Sequence, residues 1–267
     1  MRSPFDSQSS STLEVSSGNY FTFKGEKIIG SSDVSSFVSF NTLDTRGSVF
    51  GIDSSYRGPL FNSTSSLGYT VGFGSPSTFV DGSEVTITDS ITAFNEVVDG
   101  TKNVYSLVGA DASSWGSASS GDITLLNFNP AASSSDTMTG KYHEFVFFNV
   151  DTSSDREDIE LDINSAFSSY SSASARRSEK LLNSHPGAAA AYSVRQINAN
   201  YTGPVMRVDN GYTELDIYPV EAGELDTEAI IQHADVNPSS KNATISVWYD
   251  QSGNGNHATQ STKSRQP

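Results

Sequence analysis

Between Tyr20 and Val150 apolar and polar residues alternate over short spans, as in YFTFKGEKI, SSFVSFNT, GSVFGIDSS, LGYTVGFG, SEVTITDS, KNVYSLVGA, DITLLNFN and KYHEFVFFNV. Gly, Asp, Ser and Pro divide these spans. A period of two broken by turn residues predicts short antiparallel strands, many with one face on a core and one in water. The segment Glu144 to Val150 is almost continuously apolar and is expected deep in the resulting β-sandwich. The period then changes. SSDREDIELDINSAFSSY sets Ser154 and Glu157 at capping-box spacing and puts Asp155, Glu157 and Asp158 at the positive end of a helix. Ile159, Ile163, Phe167 and Tyr170 repeat on one face of it, which predicts a short helix packed on the sandwich rim.

Residues 171–187, SSASARRSEKLLNSHPG, turn to Ser, Ala and basic residues and end in Pro186-Gly187, the composition of a linker. Beyond it, GAAAAYSVRQI suits a short helix, GPVMRV and TELDIYP suit strands flanking an Asp209-Asn210-Gly211 turn, LDTEAIIQHA suits a second helix and ATISVWYD a strand. Residues 1–17 carry little periodicity and read as a flexible arm. The expected organisation is thus an arm at 1–17, an all-β sandwich at 18–170, a linker at 171–187 and a smaller mixed α/β segment at 188–267. No repeat of 20 to 50 residues is present.

Composition narrows the classes. A chain of 267 residues with 35% hydrophobic content buries a sizeable core, and 15 Phe and 11 Tyr spread along it are foreign to low-complexity disorder. A net charge of -15 repels phosphate backbones, so nucleic acid is not an expected partner. The small basic cluster Arg176, Arg177 and Lys180 falls in the linker, where a solvated role is the plain reading. Without cysteine there is no disulfide, thiolate metal site or Cys nucleophile. No stretch has the pattern of a signal peptide or the roughly 20 apolar residues of a spanning helix, so the expectation is synthesis in the cytoplasm with no membrane partner.

Two blocks resemble known families. The opening strands around SSFVSFNT and the ending GKYHEFVFFNVDTSSDREDIELDINSAFSSY make residues 18–170 similar to the concanavalin A-like, or LamG-like, jelly roll, in particular the versions found in bacteriophage tail and fibre proteins. GAAAAYSVRQINANYTGPVMRV, ELDTEAI and WYDQSGNGNHATQ make residues 187–267 similar to the opening of the α-L-arabinofuranosidase B catalytic module, an opening shared by many phage structural proteins. The resemblance implies a sandwich fold and an affinity for sugar. In that family the catalytic nucleophile and acid lie well downstream of this opening, so none of the residues here inherits those roles.

The stretch from Trp248 to Gln260, WYDQSGNGNHATQ, is the most distinctive of the chain and has two readings. Its Gly and Asn residues accept positive φ and Asp250 can bond backbone amides, which makes a tight structural turn. Trp248, Tyr249, Asp250, Asn254 and Asn256 also suit a ligand loop, and Asp and Asn oxygens suit a hard cation such as Ca²⁺, although a single carboxylate is present. Neighbouring residues on a strand face opposite ways, so one of Trp248 and Tyr249 belongs to the core. Tyr69 and Trp115, like Tyr56 and Phe73, stand in turn-rich stretches where an aromatic can stack on a sugar or simply pack. Arg195 and Arg207 can clamp a ligand carboxylate or pair with Asp209, Asp216 or Asp226, and ion pairing is the plainer role. The four histidines, His143, His185, His233 and His257, have no metal-ligand spacing. A glycosidase needs two carboxyl groups about 5 to 9 Å apart, and spacing along the chain selects no pair among acids such as Asp122, Glu144 and Glu214.

The expected function is that of a non-enzymatic structural or adhesive protein of a phage-like virion, in a capsid decoration, tail or fibre. It would attach to other virion proteins through its arm, assemble as a homo-oligomer, with a trimer the first choice, and touch a surface glycan without a cofactor. The alternatives are a glycoside hydrolase of the arabinofuranosidase type and a free carbohydrate-binding module.

Overall fold

The computed structural model describes residues 12–16, 18–25, 28, 31, 33–42, 46–51, 60–62, 74–97, 101, 103–113, 122–126, 139–167, 179–221, 223–237, 239 and 242–267. The alternating spans become strands. β1 (Leu13–Val15), β3 (Val34–Asn41), β7 (Ser77–Val80), β8 (Ser83–Val85), β9 (Asn103–Ala110) and β11 (Gly140–Phe148) form one antiparallel sheet in the order β1-β11-β3-β9-β7-β8. β2 (Phe21–Lys24), β5 (Phe50–Gly51) and β10 (Asp122–Leu125) belong to a second. β4 (Arg46–Ser48) and β6 (Leu60–Asn62) pair with each other.

The C-terminal residues join both sheets instead of standing apart. β12 (Ala188–Ser193) lies antiparallel to β11 with Tyr192 opposite Phe145, on the side of β11 that β1 covers at its other end. β13 (Met206–Asp209), β14 (Glu214–Ile217), β15 (Thr244–Trp248) and β16 (Ala258–Thr259) extend the second sheet, in the order β14-β13-β15-β16-β2-β10-β5. Thr259 pairs with Thr22, and the Tyr20 amide donates to the Arg265 carbonyl. Residues 18–170 and 188–267, expected as separate blocks, therefore share two sheets and one core.

That core is aromatic. Phe23 of the second sheet meets Phe147 and Tyr192 of the first at ring-centroid distances of 5.8 and 5.4 Å, and Trp248 meets Phe145 edge-on at 5.8 Å. Each such ring, fully buried, contributes roughly 1.5–3 kcal/mol by leaving water. Mutual contact of the rings holds the sheets face to face.

Four segments differ from expectation, each for a tertiary reason. The Ala run at 188–191 is strand, because all of β12 is buried against β11 and small side chains let the layers approach; packing overrides the helical preference of alanine. Ser90, the last residue of the expected strand span SEVTITDS, instead opens α1 (Ser90–Val97), whose first turn is capped by Asp89 through the amides of Ile91 and Thr92. Leu13 and Val15, assigned to the arm, are buried in β1. Within the expected linker, Leu181 and Leu182 are buried in α3 (Leu181–Ser184), while residues 168–178 lie outside the described residues.

α2 (Arg156–Phe167) packs on β3 and β9, over the sheet rather than at the rim. Ile159, Ile163 and Phe167 are buried as the periodicity predicts, and Phe167 stacks on the His143 ring at 4.7 Å. Tyr170 lies outside the described residues. The helix roofs the outer face of the sheet, which is why β3 and β11 are buried on both sides.

Candidate functional site

The stretch from Trp248 to Gln260 folds as a turn that ties β15 to β12. Trp248 is 0% exposed and its indole N–H donates to the Ser193 carbonyl at 3.1 Å, so neither ring face is open to a ligand. Asp250 is 1% exposed, and its carboxylate accepts from the amides of Ala191, Ser252 and Asn256 and from the Ser252 hydroxyl, at 2.8 to 3.0 Å. Asn254 and Asn256 donate their side-chain amides to the carbonyls of Ala188 and Ala189. Gly253 and Gly255 take φ of +90° and +75°, the left-handed conformation such a compact turn demands. Gln251, not singled out from the sequence, receives the Ile197 amide and donates to the Arg195 carbonyl. Hydrogen-bond donors thus occupy the Asp250 oxygens that a ligand or Ca²⁺ would use. Among the described residues no group of three or more His, Asp or Glu is placed to hold a metal ion.

A buried charged cluster ties the end of β12 to β11 and α2. Arg195 reaches Glu144 on β11 through Nε at 3.0 Å and Nη2 at 3.3 Å, and Asp162 on α2 through Nη2 at 3.1 Å. The Ser193 hydroxyl donates to the same Glu144 carboxylate. Burial pushes the Glu144 carboxyl up, against the pull of Arg195 and Ser193. Glu144 and Asp162, brought together by this arginine, have side chains 0% and 2% exposed, sealed from any sugar-sized molecule.

The outward face of β13, β14 and β15 offers a different surface. Arg207 binds Asp216 with both prongs, at 2.7 and 2.9 Å, across neighbouring strands where the two residues are in register. The Tyr249 hydroxyl donates to Asp216 at 2.8 Å, and its ring lies beneath the Arg207 guanidinium at 5.8 Å and edge-on to exposed His257 at 4.9 Å. Tyr201 folds back over Gly203 and donates to the Pro204 carbonyl. Tyr218, just past β14, is 53% exposed. Arg207 holds the Asp216 carboxyl below its ordinary value. Burial, with the Asp250, Tyr218 and Asp216 charges nearby, pushes the Tyr201 phenol up to about 12. Burial and the bond to Asp216 push Tyr249 up as well, so the Tyr201 and Tyr249 phenols stay protonated donors at neutral pH.

Of the residues expected to bind, the fold places Tyr249 on this surface, buries Trp248 and Asp250, and spends Asn254 and Asn256 in the turn. Tyr69 and Trp115 lie outside the described residues. Tyr201 and Tyr218 were missed, although the motifs Y-T-G-P and D-I-Y-P, each with an aromatic within three residues of a turn-forming proline, carried a signal.

Compared with protein families, with curated proteins and with solved structures, the chain has no match in any of the three. Among the described residues no helix is long and apolar enough to cross a membrane.

Proposed function

We propose that this chain is a non-enzymatic, adhesive building block of a phage-like virion, a jelly-roll sandwich of the concanavalin A-like type that displays a glycan-binding surface. The observation that carries the reading is the surface where Tyr249 meets Arg207 and Asp216: an aromatic ring and a bidentate ion pair on the outward face of the β13–β14 hairpin. Sugar recognition needs that combination of apolar ring faces and oriented polar groups. The carboxylates Glu144 and Asp162, buried and locked by Arg195, favour adhesion over hydrolysis. In this reading the N-terminal arm docks on other virion proteins and copies assemble as a trimer. The test is a broad glycan panel probed with the purified chain, with released reducing sugar read in the same wells. Binding without release is expected; release of sugar, or silence across the panel, would overturn the reading.

A further inference from the structure

The charge balance of the tyrosine surface selects among glycans. Arg207 is the cation over the Tyr249 ring, and two of its five N–H donors already hold Asp216. Its Nη1 stands 4.0 Å from Glu214 as well, so its charge is matched twice over. Glu214, Glu221 and Glu224 are exposed on the same hairpin and the turn that follows it, and the whole chain carries -15. An anionic sugar would approach a surface of its own sign, where carboxylates already balance the guanidinium charge. A neutral sugar meets no such barrier. The Tyr218 ring is open, Tyr201 and Tyr249 are half-buried, and Asp216 accepts three hydrogen bonds where a carboxylate has about four sites.

We infer that Tyr249, in contact with Asp216 and Arg207, and Tyr201 and Tyr218 on the neighbouring segments bind an uncharged sugar residue and discriminate against uronic, sialylated or sulfated ones. The C–H face of the sugar stacks on a tyrosine ring, and adjacent hydroxyls bond the remaining capacity of Asp216 and Arg207. This inference rests on the reading of the surface as glycan-binding.

The experiment measures retention of the full chain on an immobilised neutral galactan, a neutral mannan and polygalacturonate, at about 50 and about 500 mM salt. The expected result is retention on a neutral polysaccharide that changes less than about twofold with salt, none on polygalacturonate, and a loss of about tenfold in Tyr218→Ala. Tyr218 is exposed, so this variant keeps its fold, which far-ultraviolet circular dichroism checks. Salt-sensitive retention on polygalacturonate, or neutral retention untouched by Tyr218→Ala, would overturn the inference while leaving glycan adhesion standing. No retention of the wild type on any polysaccharide would remove both.

Discussion

Arg195 and Glu144, 51 residues apart, form a two-pronged ion pair in the interior, and this contact fastens the C-terminal strands to the first sheet. Two carboxylates and one guanidinium taken from water must satisfy one another or destabilise the fold. Removing Arg195 leaves Glu144 and Asp162 buried without their shared cation. The Arg195→Met variant is expected to lose about 3–5 kcal/mol in urea unfolding, and adding Glu144→Gln to it to recover part of that loss. A loss below about 1 kcal/mol would show that water reaches the cluster.

The Asp250 turn gives a second prediction. Asp250→Ala leaves the buried Ala191 amide without an acceptor, at a cost of about 1–3 kcal/mol, and bares the half-buried amides of Ser252 and Asn256 as well. Because protein donors fill the carboxylate, Ca²⁺ or a chelator is expected to leave the thermal midpoint of the wild type unchanged. A rise on adding Ca²⁺ would restore the ligand-loop alternative.

Gly203 tests how the surface is built. A Cβ there would stand 2.6 Å from the Tyr201 hydroxyl and 2.7 Å from the ring carbon that bears it. The phenol end of the side chain can swing outward while the backbone stays. Gly203→Ala is therefore expected to lower stability by less than about 1 kcal/mol while weakening glycan retention several-fold. Equal retention by the variant would take Tyr201 out of the surface.

The pH dependence of Asp216 has a definite sign. Its folded-state carboxyl titrates below the ordinary value of 3.8 because Arg207 holds the ionised form. The stability this contributes is present above pH 3.8 and is lost as pH falls through the lower folded-state value. The pair is partly exposed, so Asp216→Asn is expected to cost about 1 kcal/mol or less at pH 7. The difference from wild type should vanish under strongly acidic conditions in parallel denaturation curves. A gap that persists at low pH would mean that the amide disturbs packing rather than charge.

Much of the sheet structure could be read along the chain because period-two alternation reports a local geometry, as the match of KNVYSLVGA to β9 and of ATISVWYD to β15 illustrates. What escaped depends on contacts distant in sequence. Ala188 to Ala191 read as helix because a propensity scale does not contain β11, the strand that buries them. The Pro186-Gly187 break suggested a boundary, yet the chain resumes in the same sandwich, and nothing local announces that Thr259 will pair with Thr22. In the candidate site, the turn chemistry of Asp250 and the opposite placement of Trp248 and Tyr249 followed from strand geometry. The meeting of Arg207, Asp216 and Tyr249 depended on a strand register that spacing alone does not reveal.

The most direct measurement of the shared sandwich is native-state hydrogen exchange of the full chain, comparing the amides of β11 with those of β12. If 188–267 completes both sheets, the amides of 189–193 and 144–148 exchange at the same slow rate and open only with global unfolding. Early, independent exchange of residues 189–193 while β11 stays protected would contradict it.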